Sequence, residues 1–158
     1  MNKQQFWQLI EAARNQASNP NDGEAVAREA TSLLASRPVE EIVAAEQVLW
    51  DLMVDSYSNP LWAAAYLANG GCSDDGFDYF RGWLIAQGWE AFERVVADPD
   101  ALAELPIVQA SAADGVEQLP ASAPTIRYRE LDPTWNFDFD DHDEMTRRLP
   151  RLAALYLE

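Results

Sequence analysis

Residues 62–88 constrain the fold of this chain more than any other stretch, because they are dense in residues with specialised structural uses. The segment reads WAAAYLANGGCSDDGFDYFRGWLIAQG and combines aromatic residues, a Gly-Gly pair and a Ser-Asp-Asp sequence. Gly70-Gly71 is typical of the left-handed residue that ends a helix. Ser73, followed by two aspartates, is typical of an N-cap and the first turn of the next helix. The stretch therefore predicts two helices, at about 60–69 and 73–87, joined by a tight turn.

Apolar residues at helical spacing continue on both sides of this stretch. Proline and glycine clusters separate the periodic segments and mark where helices begin or end. The remaining predicted helices cover about 3–17, 22–36, 38–57, 89–97, 99–104 and 142–156.

The pattern changes after residue 104, where prolines, a glycine and small residues replace the helical periodicity. This composition predicts a long, mostly non-regular connection over about 105–140, of which 105–124 is expected to be mobile. The C-terminal helix, 142–156, is expected to pack back on the rest. The fold class predicted is all-α: an irregular bundle of six to seven helices in a single domain, 1–158.

The size of the chain is sufficient for a self-supporting core. It has 158 residues, 48% of them hydrophobic, and six are tryptophans. A chain of this length buries roughly 70% of its unfolded surface, and tryptophans contribute large apolar areas to such a core. Neither a metal ion nor a disulfide is needed for folding.

The charge of the chain restricts its partners. Residues 1–79 carry 12 acids and 4 bases, and residues 80–158 carry 15 acids and 7 bases, so each half contributes −8 to the net charge of −16. A uniformly acidic surface repels nucleic-acid phosphates and anionic membranes. It favours solubility and contact with a basic protein partner.

Cys72 is the one cysteine of the chain, so it cannot form an internal disulfide. It lies next to a predicted helix N-terminus, a position that lowers a thiol pKa in many proteins. Two neighbouring carboxylates, those of Asp74 and Asp75, disfavour a thiolate, and we expect a small, buried and unreactive thiol. The first residues have no secretory apolar core and no apolar run approaches the ~20 residues of a membrane span. A cytoplasmic location is expected.

Charged residues of the predicted helix 73–87 form the first candidate site. Asp74, Asp78 and Arg81 follow at i, i+4 and i+7 and share one side, while Asp75 lies on another. Carboxylates beside an arginine suit a cationic or amide ligand, or proton transfer if their environments differ. Acids are, however, common in the first turn of a helix, and Asp78–Arg81 is an ordinary i, i+3 pair. A ligand site, a partner contact and a solvated helix face all remain open.

An acidic segment near the C-terminus forms a weaker candidate, for a metal ion. Asp138, Asp140 and His142 alternate along it, as cation ligands do in many loops. The segment lacks the glycine and the final glutamate of a calcium-binding EF-hand loop. A single histidine also provides too few nitrogen ligands for a typical transition-metal site. An acid-rich helix start with Asp141 as its cap is the simpler interpretation, and no metal is predicted.

Aromatic residues form the last candidate site, as a pocket or an interface. Those considered are Trp62, Tyr66, Tyr79, Trp83, Trp89 and Phe92. Core packing explains most of them. Trp89, directly after Gly88, is predicted to be exposed.

The stretch LWAAAYLANGGCSDDGFDYFRGWLIAQGWEAFE, followed by ADPDALA, resembles the bacterial domain-of-unknown-function family 4240. The opening FWQLIEAAR and the closing RRLPRL are also similar to that family, so the resemblance covers nearly the whole chain and is strongest over 61–103. It implies a helical, cytosolic protein and carries no catalytic residues. Trp89 departs from the family pattern, in which a smaller or polar residue is expected after the Gln-Gly pair.

The sequence thus predicts a small acidic protein that acts as a non-catalytic protein-interaction module without a cofactor. It holds no phosphate-cradling glycine loop and no nucleophile–base pair. One alternative is a small-ligand-binding protein or enzyme. Another is an immunity-type or inhibitor protein that masks a basic site by charge complementarity. Candidate binding residues are Trp62, Tyr66, Asp74, Asp75, Asp78, Arg81 and Trp89.

Overall fold

The computed structural model describes residues 1–114 and 132–157, and these residues form helices without any strand. The α-helices are α1 (Lys3–Gln16), α2 (Gly23–Ala35), α3 (Val39–Asp55), α4 (Asn59–Asn69), α5 (Asp74–Ala86), α6 (Trp89–Ala97), α7 (Pro106–Asp114), α8 (His142–Arg148) and α9 (Pro150–Tyr156). Two 3₁₀ helices cover Pro99–Glu104 and Pro133–Trp135. The predicted all-α fold class is confirmed.

Side-chain caps explain where several of these helices begin. Asp22 accepts hydrogen bonds from the first backbone N–H groups of α2, and Ser58 does the same for α4. Ser73 caps α5 as the sequence predicts. Gly70 ends α4 in the left-handed conformation, with φ 62°, which glycine adopts without steric strain. Local chemistry therefore fixes the tight turn between α4 and α5.

Helix α5 lies at the centre of the fold and packs against α2, α3, α4 and α6. Its Phe77, Trp83 and Leu84 are fully buried. Burial of side chains this large supplies most of the apolar driving force of such a core, at ~25 cal/mol for each Å² removed from water. The residues of α5 that remain at the surface are therefore few, which limits where a site can form on it.

The predicted non-regular connection at 105–140 needs correction, because residues 106–114 form α7. Proline at the first position of a helix is favourable, since its fixed φ suits the helix and its missing N–H has no partner there anyway. Pro106 therefore starts a helix instead of preventing one. Residues 115–124, the rest of the predicted mobile segment, lie outside the described residues, as does the connection from there to residue 131.

The predicted C-terminal helix 142–156 is two helices, α8 and α9, which meet at Leu149. Pro150 is the reason, because a proline inside a helix removes one hydrogen bond and clashes with the preceding turn. Met145, Leu149 and Leu152 are nevertheless buried, so this segment packs back on the core as expected.

Asp100 holds α9 in place. Its carboxylate accepts hydrogen bonds from the backbone N–H groups of Arg151 and Leu152, at 3.0 and 2.9 Å, and from Arg151 Nε at 2.9 Å. Arg151 also pairs with Asp98 and Glu104. The 3₁₀ helix at Pro99–Glu104 thus supplies the N-terminal cap that α9 lacks in its own sequence.

Candidate functional site

Two of the predicted site residues, Asp78 and Arg81, are removed from solvent. Their side chains form an ion pair and are 7% and 1% exposed. Arg81 also donates to the carbonyl of Met53 at the end of α3. Its guanidinium lies 4.9 Å from the ring centroid of Tyr57 and 4.8 Å from that of Phe77. The arrangement joins α3 to α5 from within the core and leaves this pair no open face for a ligand.

The other two acids of α5, Asp74 and Asp75, are exposed in its first turn. The structure therefore separates the four charged residues into a buried pair and a solvated pair. Negative side chains are favourable at a helix N-terminus because they face its positive dipole end.

Trp62 and Tyr66 do come together, in a pocket of about 460 Å³ between α4 and residues 132–139. We call it the aromatic pocket. Its lining consists of five aromatic side chains, those of Trp62, Tyr66, Trp135, Phe137 and Phe139, and four others, those of Asn59, Cys72, Asp132 and Asn136. Its rings contact one another: Tyr66 meets Phe139 edge-on at 5.6 Å, and Phe137 meets Phe139 at 5.4 Å.

Hydrogen bonds fix both ends of this pocket. Asn59 Nδ2 donates to the backbone oxygen of Asp132 at 2.8 Å, and the Tyr66 hydroxyl donates to Asp140 Oδ1 at 2.8 Å. The bond to the Asp140 carboxylate raises the pKa of Tyr66, with burial adding to the effect. At Asp132, hydrogen bonds from the backbone and hydroxyl of Thr134 lower the carboxyl pKa. That carboxylate therefore stays ionised near neutral pH.

Trp62 is oriented by its neighbours in the core. Its indole Nε1 donates to the backbone oxygen of Cys72 at 2.9 Å. Its ring stacks on Phe77, with centroids 5.0 Å apart and planes 10° apart. A ring held on one face and at its N–H is preorganised for contact through the rest of its surface.

Cys72 lines the aromatic pocket but has an unreactive environment. Burial raises the pKa of its thiol to about 12, Arg81 lowers it, and Asp74 raises it further. Burial is the largest influence on this pKa, and a raised pKa is what an unreactive thiol requires. The side chain is only half-buried, however, whereas the sequence predicts a buried one.

Two of the weak metal candidates, Asp138 and Asp140, accept hydrogen bonds within the protein. Asp138 Oδ1 accepts the backbone N–H of Asp140 at 3.0 Å, and Asp141 caps α8 through the N–H of Glu144 at 3.1 Å. His142 is exposed at the start of α8. Within the described part of the chain, no group of three or more His, Cys, Asp or Glu side chains is placed to hold a metal ion.

Trp89 lies apart from the aromatic pocket, in a second concave surface of about 1180 Å³ between α1 and the start of α6. We call it the Trp89 groove. Trp89 is 53% exposed, which confirms the prediction for this residue. Other groove residues are Lys3, Trp7, Glu11, Arg14, Glu90 and Glu93.

The cationic groups of the Trp89 groove are already engaged. Lys3 Nζ lies 3.2 Å from Glu93, and Arg14 Nη1 donates to the carbonyl of Ala86 at 2.7 Å. Arg14 Nε lies 3.8 Å from Glu11. Glu90, directly beside Trp89, has no hydrogen-bond or ion-pair partner among residues 1–114 and 132–157. The groove therefore presents an aromatic ring and unneutralised acid.

Sequence reasoning missed part of both surfaces. It interpreted residues 135–143 as an Asp-rich aromatic loop and did not connect Trp135, Phe137 and Phe139 with Trp62 and Tyr66, with which they line the aromatic pocket. It also singled out Trp89 without Glu90 and Glu93, which follow it on α6. For the aromatic pocket, the available signal in the sequence was the i, i+2 spacing of the aromatic residues. For the Trp89 groove, it was the i, i+3 spacing of the two acids on α6.

The described residues thus form a small, all-helical fold that carries the aromatic pocket and the Trp89 groove. The chain belongs to the family described as "Protein of unknown function (DUF4240)", whose family model matches residues 1–130. The match leaves out the closing arginine-rich segment that resembles the family in sequence. Neither curated proteins nor solved structures gave a match. No helix in residues 1–114 and 132–157 has the length and apolar character to cross a bilayer.

Proposed function

We propose that this protein is a non-catalytic interaction module that binds a basic segment of a partner protein in the Trp89 groove. The observation that carries the proposal is the position of an exposed tryptophan, Trp89, beside the carboxylate of Glu90, which has no ion-pair partner within residues 1–114 and 132–157. Tryptophan is enriched among the residues that dominate binding energy at protein interfaces.

The size of the groove supports a peptide segment as its occupant. At about 1180 Å³ it exceeds the roughly 300–1,000 Å³ of typical small-molecule sites. Its open form suits a chain that lies along α1 and passes Trp89.

Charge supports a basic partner. The net charge of −16 gives the whole molecule an attractive field for a cationic surface. Complementary charge accelerates association and selects among partners more than it adds affinity. An inhibitor that masks a basic active site is one form of this function, and a cytoplasmic site of action is part of the proposal.

An enzymatic function has less support. The two predicted site residues with the best catalytic chemistry, Asp78 and Arg81, are paired with each other in the core. The single thiol has a pKa of about 12, far from that of an activated nucleophile.

Position-specific photo-cross-linking tests the proposal. A photoreactive phenylalanine analogue at position 89 is expected to capture a basic protein from a lysate of the source cells. The same analogue at Val39, which is 69% exposed on α3, is the matched control. Capture at position 89 should weaken as salt screens the charges.

Two results would contradict the proposal. One is capture of the same proteins at positions 39 and 89, which indicates non-specific contact. The other is capture of a partner that is acidic, or whose yield is unchanged by salt.

A further inference from the structure

We propose that the aromatic pocket binds a small organic ammonium ion, such as a quaternary amine. This site is separate from the Trp89 groove, so a test of one proposal does not decide the other. It is built from Trp62 and Tyr66 within the family match and from Trp135, Phe137 and Phe139 beyond it.

The chemistry of the lining is the first argument. The negative ring faces of tryptophan, tyrosine and phenylalanine attract cations, and clustered aromatic rings are a common way to bind quaternary ammonium groups. A neutral apolar ligand would gain nothing from the carboxylates at the edge of the pocket, those of Asp132 and Asp140, which we call the acidic rim. An anion would be repelled by it.

The same ring cluster already holds a cation on the protein itself. The guanidinium of Arg148 lies 4.8 Å from the ring centroids of both Trp135 and Phe137. These distances are within the ≈6 Å over which a cation is attracted by a ring. The remaining rings of the pocket, Trp62, Tyr66 and Phe139, are not used by Arg148 in this way.

Carboxylates at the pocket add to its preference for a cation. Asp132 is part of the lining and its ionised form is stabilised by Thr134. Asp140 accepts the hydroxyl of Tyr66 at the other end. A cation at Trp62, Tyr66 and Phe139 therefore lies near the Asp132 carboxylate, which lines the pocket, and near the hydroxyl of Tyr66 that Asp140 accepts. The guanidinium of Arg148 occupies the Trp135–Phe137 end instead.

The volume of the pocket indicates a small ligand. About 460 Å³ is within the range of small-molecule sites and holds a trimethylammonium group with a short polar tail. A headgroup of this kind is also found on phosphatidylcholine. The phosphate of a lipid would approach the acidic rim, so the free cation is the ligand we propose.

Titration with choline, followed by NMR of the tryptophan indole N–H groups, tests this proposal. The signals of Trp62 and Trp135 are expected to shift saturably, and that of Trp89 to stay unchanged. The matched control ligand is 3,3-dimethylbutanol, the uncharged carbon analogue of choline, which should bind at least about tenfold more weakly, or 1.4 kcal/mol. Vesicles of phosphatidylcholine are expected not to bind.

Two variants separate the contribution of the rings from that of the charge. Phe139→Leu keeps an apolar side chain without a ring, and about a tenfold loss of choline affinity is expected. Asp132→Asn removes charge at the rim and should weaken binding several-fold without altering the rings. Trp89→Leu, in the other site, should leave choline binding unchanged. Circular dichroism checks that each variant is folded.

Equal affinity for choline and its uncharged analogue would overturn the proposal, since the pocket would then be merely apolar. Absence of any saturable shift would also overturn it. Binding of vesicles in preference to free choline would contradict the assignment of a small soluble ligand.

Discussion

Arg81 and Arg28 both form ion pairs within a helix, but their surroundings differ. Arg81 pairs with Asp78 in the core, while Arg28 lies 3.7 Å from Glu24 with side chains 66% and 73% exposed. An exposed pair is screened by water and contributes little. Loss of one member of a buried pair leaves an uncompensated charge in the core. The two arginines therefore form a matched comparison.

We predict that Arg81→Ala lowers the free energy of unfolding by about 3–5 kcal/mol, since Asp78 loses its partner inside the core. Arg28→Ala should change it by less than about 0.5 kcal/mol. Urea unfolding followed by circular dichroism measures both. Failure of Arg81→Ala to fold agrees with the prediction.

The double variant Asp78→Leu with Arg81→Met provides a second check. It removes both charges at similar volume, so it should be more stable than Arg81→Ala. Equal stabilities of Arg81→Ala and Arg28→Ala would show that the buried pair has no special importance.

Cys72 gives a prediction about reactivity. A thiol whose pKa is raised to about 12 is almost wholly protonated at pH 8. Allowing for the higher intrinsic nucleophilicity of a more basic thiolate, alkylation by iodoacetamide should be roughly 100-fold slower than that of an ordinary cysteine. Because the pKa is raised, the rate should still be increasing at pH 10.

The same chain unfolded in urea is the control for Cys72, since it has the same residue with its usual pKa. Alkylation of the folded protein at the rate of the unfolded one would contradict the effect of burial described above.

At the scale of helices, local residues determine most boundaries, and the sequence was a good guide there. Gly70 and Ser73 place the α4–α5 turn through their own backbone and side-chain preferences. Proline was harder to interpret because its effect depends on position. Pro106 begins α7, while Pro150 separates α8 from α9.

Contacts between distant residues could not be predicted in this way. Asp78 and Arg81 looked like an ordinary surface pair because the Met53 carbonyl, 28 residues away from Arg81, is invisible to local periodicity. Tyr66 and Asp140 are separated by 74 residues. The aromatic pocket was therefore only half predicted, through Trp62 and Tyr66.

The hydrogen bonds from α9 to Asp100 lead to a prediction about how this helix is held in place. Asp100→Ala removes the cap of α9 and one partner of Arg151, so we expect a loss of about 2 kcal/mol in the free energy of unfolding. Hydrogen exchange at the start of α9 should accelerate more than exchange in α5.

Asp74→Ala is the matched control, since Asp74 is an exposed acid in the first turn of α5. It should change stability by less than about 0.5 kcal/mol. Unchanged exchange in α9 of the Asp100→Ala protein would show that Asp100 does not hold this helix.

At the scale of the whole molecule, the two surfaces differ in what they offer. The Trp89 groove is large, open and acidic, whereas the aromatic pocket is smaller and rich in rings. The acidity of the whole chain, which its composition already shows, favours cationic ligands at both surfaces. Composition alone did not indicate these two surfaces.

An NMR titration with a synthetic peptide that carries several arginines beside a leucine tests binding in the Trp89 groove most directly. The six tryptophans provide six indole N–H signals, and two of them, those of Trp89 and Trp7, belong to groove residues. We predict that the Trp89 signal shifts, that those of Trp62 and Trp135 do not, and that the affinity falls as salt is added. A peptide that leaves Trp89 unchanged, or whose affinity is independent of salt, would contradict it.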